Sequence, residues 1–433
     1  MIQIYFILFT VIYLLCLVHY YKRVNTREFV LNPIVILSVF FYIIHVWMPY
    51  YQWENNWWRY TNGYDESIYI FSLISIGVAF LFLIAGFKVF GYGKDKNIKI
   101  DISDSYKEIK FQRITIVTFI LFLIGAYFGY QDFVAIGALD LDYFIRNRIA
   151  FSYGRGFATL IVHWMYICCI LFFVVFKIST NPKIKRINLM LFVLSLGSSV
   201  VFFSTNQNRN SLFIFLITII IMSAFFMRGR LKLKNIFMYV LVGTLFFALF
   251  HQVGQTRRTL GGVRDVEQLT IFDLLNNSFG NHENAVWLMS NEQELLYGKT
   301  YVAGIANFIP RRIWSDKPLG AGPALKNMIH PGSYVAGEAG VTSLTTGLFT
   351  ELYMNFGWIG LFVFSFLYGM LLKKMYLILI STHTFLKFFF WFFILISFSA
   401  FMLYGEFLGI FTRTIFSAIP FLILSFVNRL EIR

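Results

Sequence analysis

Basic side chains recur beside long apolar segments of this sequence, at positions where a charge is expensive unless it has a partner. They are Arg146, Arg148, Arg155, Arg209, Arg257, Arg258, Arg264, Arg311 and Arg312, with Lys317 nearby. A guanidinium group matches phosphate oxygens through two parallel hydrogen bonds, and each charge-assisted bond contributes about 1.5–3 kcal/mol. Three or four such groups could hold a diphosphate and stabilise it as a leaving group.

Transfer from a diphosphate-linked donor also needs a group that takes the proton of the attacking hydroxyl. The candidates are His282 in GNHENAVWLM, Glu338 in GEAGVTS and Glu351 in TGLFTELYMNFG. Histidine suits this role because its ordinary pKa lies near neutrality. A packing or helix-capping histidine, and ion pairs between the glutamates and the arginines, are the structural alternatives.

Structural explanations also exist for the basic residues. Between residues 257 and 338 the sequence has eight basic and eight acidic side chains, so internal pairing could absorb much of the charge. Arg209 could extend its side chain to the lipid headgroups. Glu406 and Arg413 are spaced for a pair on one helix, or Arg413 is another substrate contact. Asp140 and Asp142 form a D-x-D, a pattern too common to indicate a metal, and we predict no metal or cofactor.

These residues stand in a chain of 433 residues that is 58% hydrophobic and 14% charged, with a mean hydropathy of +0.67. Apolar runs of about 17–25 residues match the roughly 30 Å hydrocarbon core of a bilayer, so the sequence predicts an all-α polytopic membrane protein. We predict eleven spans, at 2–20, 30–50, 67–90, 113–129, 156–176, 187–203, 210–227, 235–253, 357–372, 388–404 and 409–427.

The loops between these spans alternate in charge. Every second loop is rich in basic residues, from Lys22 and Arg23 to Arg429 and Arg433, and the positive-inside rule places these loops in the cytoplasm. The net charge of +15 is therefore explained by the basic cytoplasmic loops and does not indicate nucleic-acid binding. The predicted organisation is residues 1–253 with spans one to eight, a large external loop at 254–356 that forms part of the active site, and residues 357–433 with the remaining spans.

Three segments carry a family resemblance. NFIPRRIWSDKP, followed about 30 residues later by GLFTELYMNFGWIG, resembles the signature of Wzy-type polymerases of O-antigen and other oligosaccharide repeat units. NQNRNS is similar to a short arginine-containing turn of these polymerases and of the O-antigen ligases. The resemblance implies a GT-C-like helical fold in the bacterial inner membrane, with a periplasmic active site.

The resemblance also implies the substrates. The donor would be a glycan on undecaprenyl diphosphate, the acceptor a lipid-linked repeat unit, and a chain-length regulator a possible partner. Arg209, Arg311 and Arg312 would contact the diphosphate, with Arg257, Arg258 and Lys317 as further candidates. Other expected substrate contacts are Arg146, Arg155, Trp314, Tyr353 and Arg413.

Two other functions stay open at this point. An O-antigen ligase would use the same donor, but the ligases have a loop histidine that this sequence matches only at His282. A flippase or transporter would need charges along a path through the membrane centre, whereas the charges here concentrate near one face.

Overall fold

The computed structural model of the protein describes residues 2–24, 26–90, 110–135, 155–205, 209–226, 270–336, 338, 343–382 and 384–429. Its elements are α1 (Ile2–Arg23), α2 (Thr26–Leu31), α3 (Pro33–Glu54), α4 (Glu66–Val89), α5 (Phe111–Ala135), α6 (Gly156–Ile178), α7 (Pro182–Thr205), α8 (Arg209–Phe225), α9 (Ile271–Phe279), α10 (His282–Ser290), α11 (Lys299–Ala306), α12 (Ala321–Ile329), α13 (Leu348–Ile380), α14 (Phe385–Phe401) and α15 (Phe407–Arg429). Throughout the described ranges the regular structure is helical, as predicted.

Eight of these helices are long and apolar enough to cross a membrane, namely α1, α3, α4, α5, α6, α7, α13 and α15. The polytopic architecture is therefore confirmed. Two predicted spans, 210–227 and 388–404, correspond to shorter apolar helices at Phe215–Phe225 and Phe385–Phe401. The predicted span 235–253 lies outside the described residues, so the total of eleven stays a prediction, as does the GT-C-like fold.

Burial separates central helices from peripheral ones. Every residue from Trp164 to Val175 in α6 is buried, so this helix lies in the core of the bundle. In α1 only Ile2 is buried, and apolar residues such as Ile4 and Leu15 are exposed. A helix that is apolar on all sides must face either protein or hydrocarbon, so α1 lies at the lipid-exposed edge.

Helices α4 and α13 touch backbone to backbone through two glycines. A Cβ atom at Gly86 would overlap the carbonyl of Phe366, and a Cβ atom at Gly369 would overlap that of Leu83. Small residues permit such close approach between membrane helices, where apolar burial alone does little to drive association. This reciprocal contact holds α13 against α4.

We expect Gly369→Ala to destabilise the folded protein by about 1–3 kcal/mol or more, because an added methyl group in a tight contact forces the backbones apart. The measurement is the thermal midpoint of the detergent-solubilised protein. Gly197→Ala is the matched control, since a Cβ atom there meets no other atom within 4 Å. An equal loss in both variants would contradict the packing role of Gly369.

One end of the bundle, here called the loop face, is the end where α3 finishes and α4 and α15 begin. Helices α9 to α12 and the first part of α13 lie there. At Gly357 α13 breaks, with φ 60° and ψ −142°, a conformation that needs glycine. The break coincides with the predicted start of a span at 357, and the helix itself begins earlier, at Leu348. Carbonyls of Met354 and Asn355 accept hydrogen bonds from the backbone N–H groups of Leu296 and Tyr297, at 3.1 and 2.9 Å.

Candidate functional site

Three separate parts of the chain meet around Phe416 in α15. Its ring stacks on Phe157 at the start of α6, with ring centres 5.6 Å apart, and on Phe308, at 6.4 Å. The Trp164 indole donates to the Phe416 carbonyl at 2.9 Å, and the Asn307 amide donates to the Thr412 hydroxyl at 3.1 Å. These contacts bring the start of α6 and the FIPRRIWSDKPLG turn against the first turns of α15.

The three parts carry five of the predicted substrate-binding residues. This basic cluster consists of Arg155, Arg311, Arg312, Lys317 and Arg413. They lie in segments up to 258 residues apart in the sequence (413 − 155), and each of these segments contributes one ring to the aromatic contact at Phe416. A shared location near the loop face is what a common anionic ligand would require.

Arg413 lies one helical turn before Phe416 and is half-buried. Its charge acts on His163 and Tyr166 of α6. The predicted alternative, a pair with Glu406, is wrong because that carboxylate is engaged elsewhere: Glu406 accepts from the N–H of Gly322 at 2.6 Å and also from that of Ala321. Within the described ranges no carboxylate is in ion-pair contact with Arg413. Arg413 is therefore kept as a candidate for contact with an anionic substrate.

Glu406 directly precedes α15 in the sequence, but its carboxylate caps the N-terminus of another helix, α12. Burial raises the pKa of Glu406, and the hydrogen bonds from Gly322 and Ala321 act against that shift. Free N–H groups at a helix N-terminus attract a carboxylate, so this contact fixes α12 beside α15.

Inside the FIPRRIWSDKPLG turn the cations differ in what they contact. Arg311 Nη1 donates to the Ser315 carbonyl at 3.0 Å, and Lys317 Nζ donates to the carbonyls of Ile309 and Ala306 at 2.8 and 3.4 Å. Arg312 is exposed and bonds to none of the described residues. Arg311 and Lys317 thus shape the turn, while the Arg312 side chain is exposed at its surface.

The three predicted proton acceptors lie in different environments. Glu338 is exposed, and its backbone N–H donates to the Val335 carbonyl at 3.3 Å. Glu351 is fully buried, and its carboxylate accepts from the Thr300 hydroxyl and from the Phe407 N–H, both at 2.7 Å. His282 is also fully buried. A general base must reach the substrate hydroxyl, and of these three side chains only that of Glu338 is exposed.

His282 joins α10 to the membrane helices. Its Nδ1 lies 3.0 Å from Nδ1 of His45 in α3, and its Nε2 lies 3.2 Å from the Ser72 hydroxyl in α4. His45 belongs to a π-helical turn at Ile43–Trp47, which carries its ring toward α10. With both ring nitrogens engaged, His282 positions α10 against the spans. Burial lowers the pKa of His282 to about 3.

The neutral state of His282 predicts acid sensitivity. Because its pKa in the folded protein lies below the ordinary value of 6.5, its stabilising contribution is complete above pH 6.5 and is lost as the pH falls toward 3. The slope is about 1.4 kcal/mol per pH unit. We expect the free energy of unfolding of His282→Gln to fall less steeply over this range than that of the native protein. His330→Gln, which changes an exposed histidine, is expected to keep the native slope; identical slopes in all three proteins would contradict the assignment.

Another buried carboxylate escaped the sequence analysis. Glu283 accepts from the backbone N–H groups of Arg59 and Tyr60 at 2.8 and 3.3 Å and from the Tyr64 hydroxyl at 3.3 Å. The Arg59 guanidinium also donates to the Asn276 carbonyl. Burial raises the pKa of Glu283, although these partners oppose the shift. The loop between α3 and α4 is thus fastened to α10.

Two further predicted substrate contacts, Trp314 and Tyr353, belong to the described residues. Trp314 is 39% exposed beside Arg312. Tyr353 packs edge-to-face on Trp358 at 5.0 Å and lines an open cleft of about 460 Å³ together with Asn291 and Gln293. Arg146, Arg257 and Arg258, with Asp140 and Asp142, fall outside the described residues. Arg209 is the first residue of α8, and nothing is assigned to its side chain.

Metal-binding residues do not gather in the part of the chain that the structure covers: no group of three His, Cys, Asp or Glu side chains there could hold an ion. Comparison with protein-family models, with curated proteins and with solved structures gives no match. The chemistry of the basic cluster is thus the ground for assigning a function.

Proposed function

We propose that this protein is a glycosyltransferase that joins oligosaccharide repeat units carried on a polyprenyl diphosphate, in the manner of the Wzy-type polymerases that its motifs resemble. The site would face the periplasm from the bacterial inner membrane, with a chain-length regulator as a possible partner. An acceptor hydroxyl attacks the anomeric carbon of the donor glycan, the bond to the diphosphate breaks, and the polyprenyl diphosphate leaves. Attack from the side opposite the leaving group inverts the anomeric centre.

The observation that carries this proposal is the meeting of three chain segments at Phe416. It gathers cationic residues near the loop face, and two of them, Arg312 and Arg413, have no carboxylate partner within the described ranges. Prepositioned cations stabilise negative charge as it develops on a leaving diphosphate. Arg311 and Lys317 hold the turn that presents Arg312.

Glu338 is our choice for the residue that takes the proton of the acceptor. It lies four residues after Tyr334, which is close enough to Arg311 for electrostatic interaction, and its carboxylate is exposed. In this assignment Glu351 and His282 act as positioning residues, because their polar atoms already serve neighbouring helices.

The test uses the purified protein in lipid nanodiscs with a polyprenyl-diphosphate-linked repeat unit of the host. We expect products longer than one repeat unit and release of one polyprenyl diphosphate per linkage formed. A lipid A core acceptor, added in a parallel reaction, distinguishes ligation, which uses the same donor. Transfer only to the core, or no transfer in either reaction, would overturn the polymerase assignment.

A further inference from the structure

The last span, α15, shows how deep in the membrane the residues that contact it lie. The candidate span Phe407–Asn428 has 22 residues. At about 1.5 Å per residue it is about 33 Å long, which matches a hydrocarbon core of roughly 30 Å. Phe407 therefore lies near the boundary of the core on the loop face. Thr412 and Phe416 lie about 7.5 and 13.5 Å deeper along the helix.

Helix α11 descends beside these turns. The Tyr301 ring meets the Phe407 ring at the boundary, with centres 5.2 Å apart. Gly304 follows, so close that a Cβ atom there would lie 2.7 Å from the Phe407 ring. Next come the Asn307–Thr412 hydrogen bond and the Phe308–Phe416 stack. From Tyr301 to Phe308 the contacts with α15 therefore move from the boundary of the hydrocarbon core toward its interior.

The chain then returns to the boundary. A Cβ atom at Gly320 would lie 2.8 Å from the Glu406 carboxylate, and the Gly322 N–H donates to the same carboxylate. Glu406 immediately precedes the last span. Residues 299–320 thus enter and leave the membrane depth on the same side.

Four apolar side chains are exposed along this segment, Val302 and Ile305 on α11 and Ile309 and Ile313 in the turn after it, and Ile305 and Ile313 are 65% and 77% exposed. The turn also exposes the charged side chains of Arg312 and Asp316. The opposite side of α11, with Thr300, Ala303 and Gly304, is buried. An isoleucine stripe at this depth, continuous with a span, fits lipid hydrocarbon and not water.

The polar atoms of the turn also suit a site without water. Non-helical backbone at membrane depth must have its hydrogen bonds met inside the protein. Lys317 Nζ donates to the carbonyls of Ala306 and Ile309, and the Arg311 guanidinium donates to the carbonyl of Ser315. The N–H groups of Ile313 and Trp314 donate to the Pro310 carbonyl at 2.9 and 3.2 Å.

We propose that residues 299–320 form a re-entrant element whose apolar stripe contacts the acyl chains of the bilayer leaflet at the loop face. The segment is thus a membrane element and not a solvated loop. This lipid contact does not depend on the proposed function. It would, however, give the lipid-linked substrate a path to the site, because the headgroup of a membrane-embedded lipid would reach Arg312 sideways, from within the leaflet.

The experiment measures what surrounds a spin label at Ile305→Cys in phosphatidylcholine vesicles without substrate. Cys16→Ser provides the background, because Cys168 and Cys169 are buried and shielded from the label. Leu422→Cys, at a span position that is 56% exposed, is the lipid reference, and Thr61→Cys in the exposed loop between α3 and α4 is the water reference. The accessibility of each label to oxygen and to a water-soluble nickel chelate is determined by power saturation.

We expect the labels at Ile305→Cys and Ile313→Cys to match Leu422→Cys, with oxygen favoured over nickel. A match to Thr61→Cys would show a solvated loop and overturn the proposal. Protection from both reagents would show that protein, such as a second copy of this chain, covers the stripe, which also overturns it. Loss of polymerisation activity leaves these readings unchanged, so failure of the proposed function remains distinguishable.

Discussion

Arg413→Ala is expected to lower the rate of chain extension at least about 100-fold while the protein remains folded in the membrane. Arg413 is half-buried in the first turns of α15 and has no carboxylate partner in the described part of the chain. Two charge-assisted hydrogen bonds to a diphosphate would contribute about 3–6 kcal/mol, and each 1.36 kcal/mol corresponds to a tenfold change in rate.

The measurement is the initial rate of product formation in nanodiscs, at equal amounts of folded protein. Arg413→Lys keeps the charge but loses the paired donors, so we expect an intermediate rate. Arg23→Ala, an exposed arginine at the end of α1, serves as the control and should retain the native rate. If the Arg413→Ala protein makes products of native chain length, the assignment of Arg413 to the site is contradicted.

Glu351 should respond very differently to two substitutions. In Glu351→Ala the Phe407 N–H and the Thr300 hydroxyl lose their acceptor, and each unsatisfied buried group costs about 1–3 kcal/mol. Asn355 extends the same network, since its amide donates to the Thr300 hydroxyl at 2.8 Å and its oxygen accepts from the Gly298 N–H at 3.0 Å. We expect destabilisation of about 2–5 kcal/mol and loss of most folded protein.

Glu351→Gln should retain the fold and most of the activity, because an amide oxygen can still accept from Phe407 and an amide nitrogen can approach Thr300. Thermal midpoints and initial rates of both variants are measured side by side. A general base replaced by glutamine would lose about 100- to 10,000-fold in rate. A folded but inactive Glu351→Gln protein would therefore indicate that Glu351, and not Glu338, is the proton acceptor.

Hydropathy and charge alternation predicted most of the membrane helices, because a bilayer imposes a length and a composition on each span separately. Such local signals do not report which distant residues meet. The His45–His282 contact joins positions 237 residues apart, and the Glu283–Arg59 contact joins positions 224 apart. No periodic pattern in either segment marks the partner in the other.

The pairing of Glu406 shows a second limit of sequence reasoning. Helical spacing allowed a pair with Arg413, but the spacing says nothing about competitors for the same carboxylate. The Glu406 carboxylate instead accepts hydrogen bonds from the N–H groups at the start of α12, and Gly322 is 84 residues away in the sequence. The sequence therefore indicates the residue types of the candidate site, while their connections depend on tertiary packing.

The concentration of contacts on α15 has a consequence for biogenesis. Arg413, the Phe416 ring and the Phe407 N–H all belong to this helix, and Glu406 directly precedes it. Ribosomes deliver a chain from its N-terminus at about 5–20 residues per second, so α15 reaches the insertion machinery after every other described helix. Until then the basic residues of the earlier segments have no common centre. A nascent chain would pass through the translocon with its basic segments still apart, and they would come together only when this helix docks.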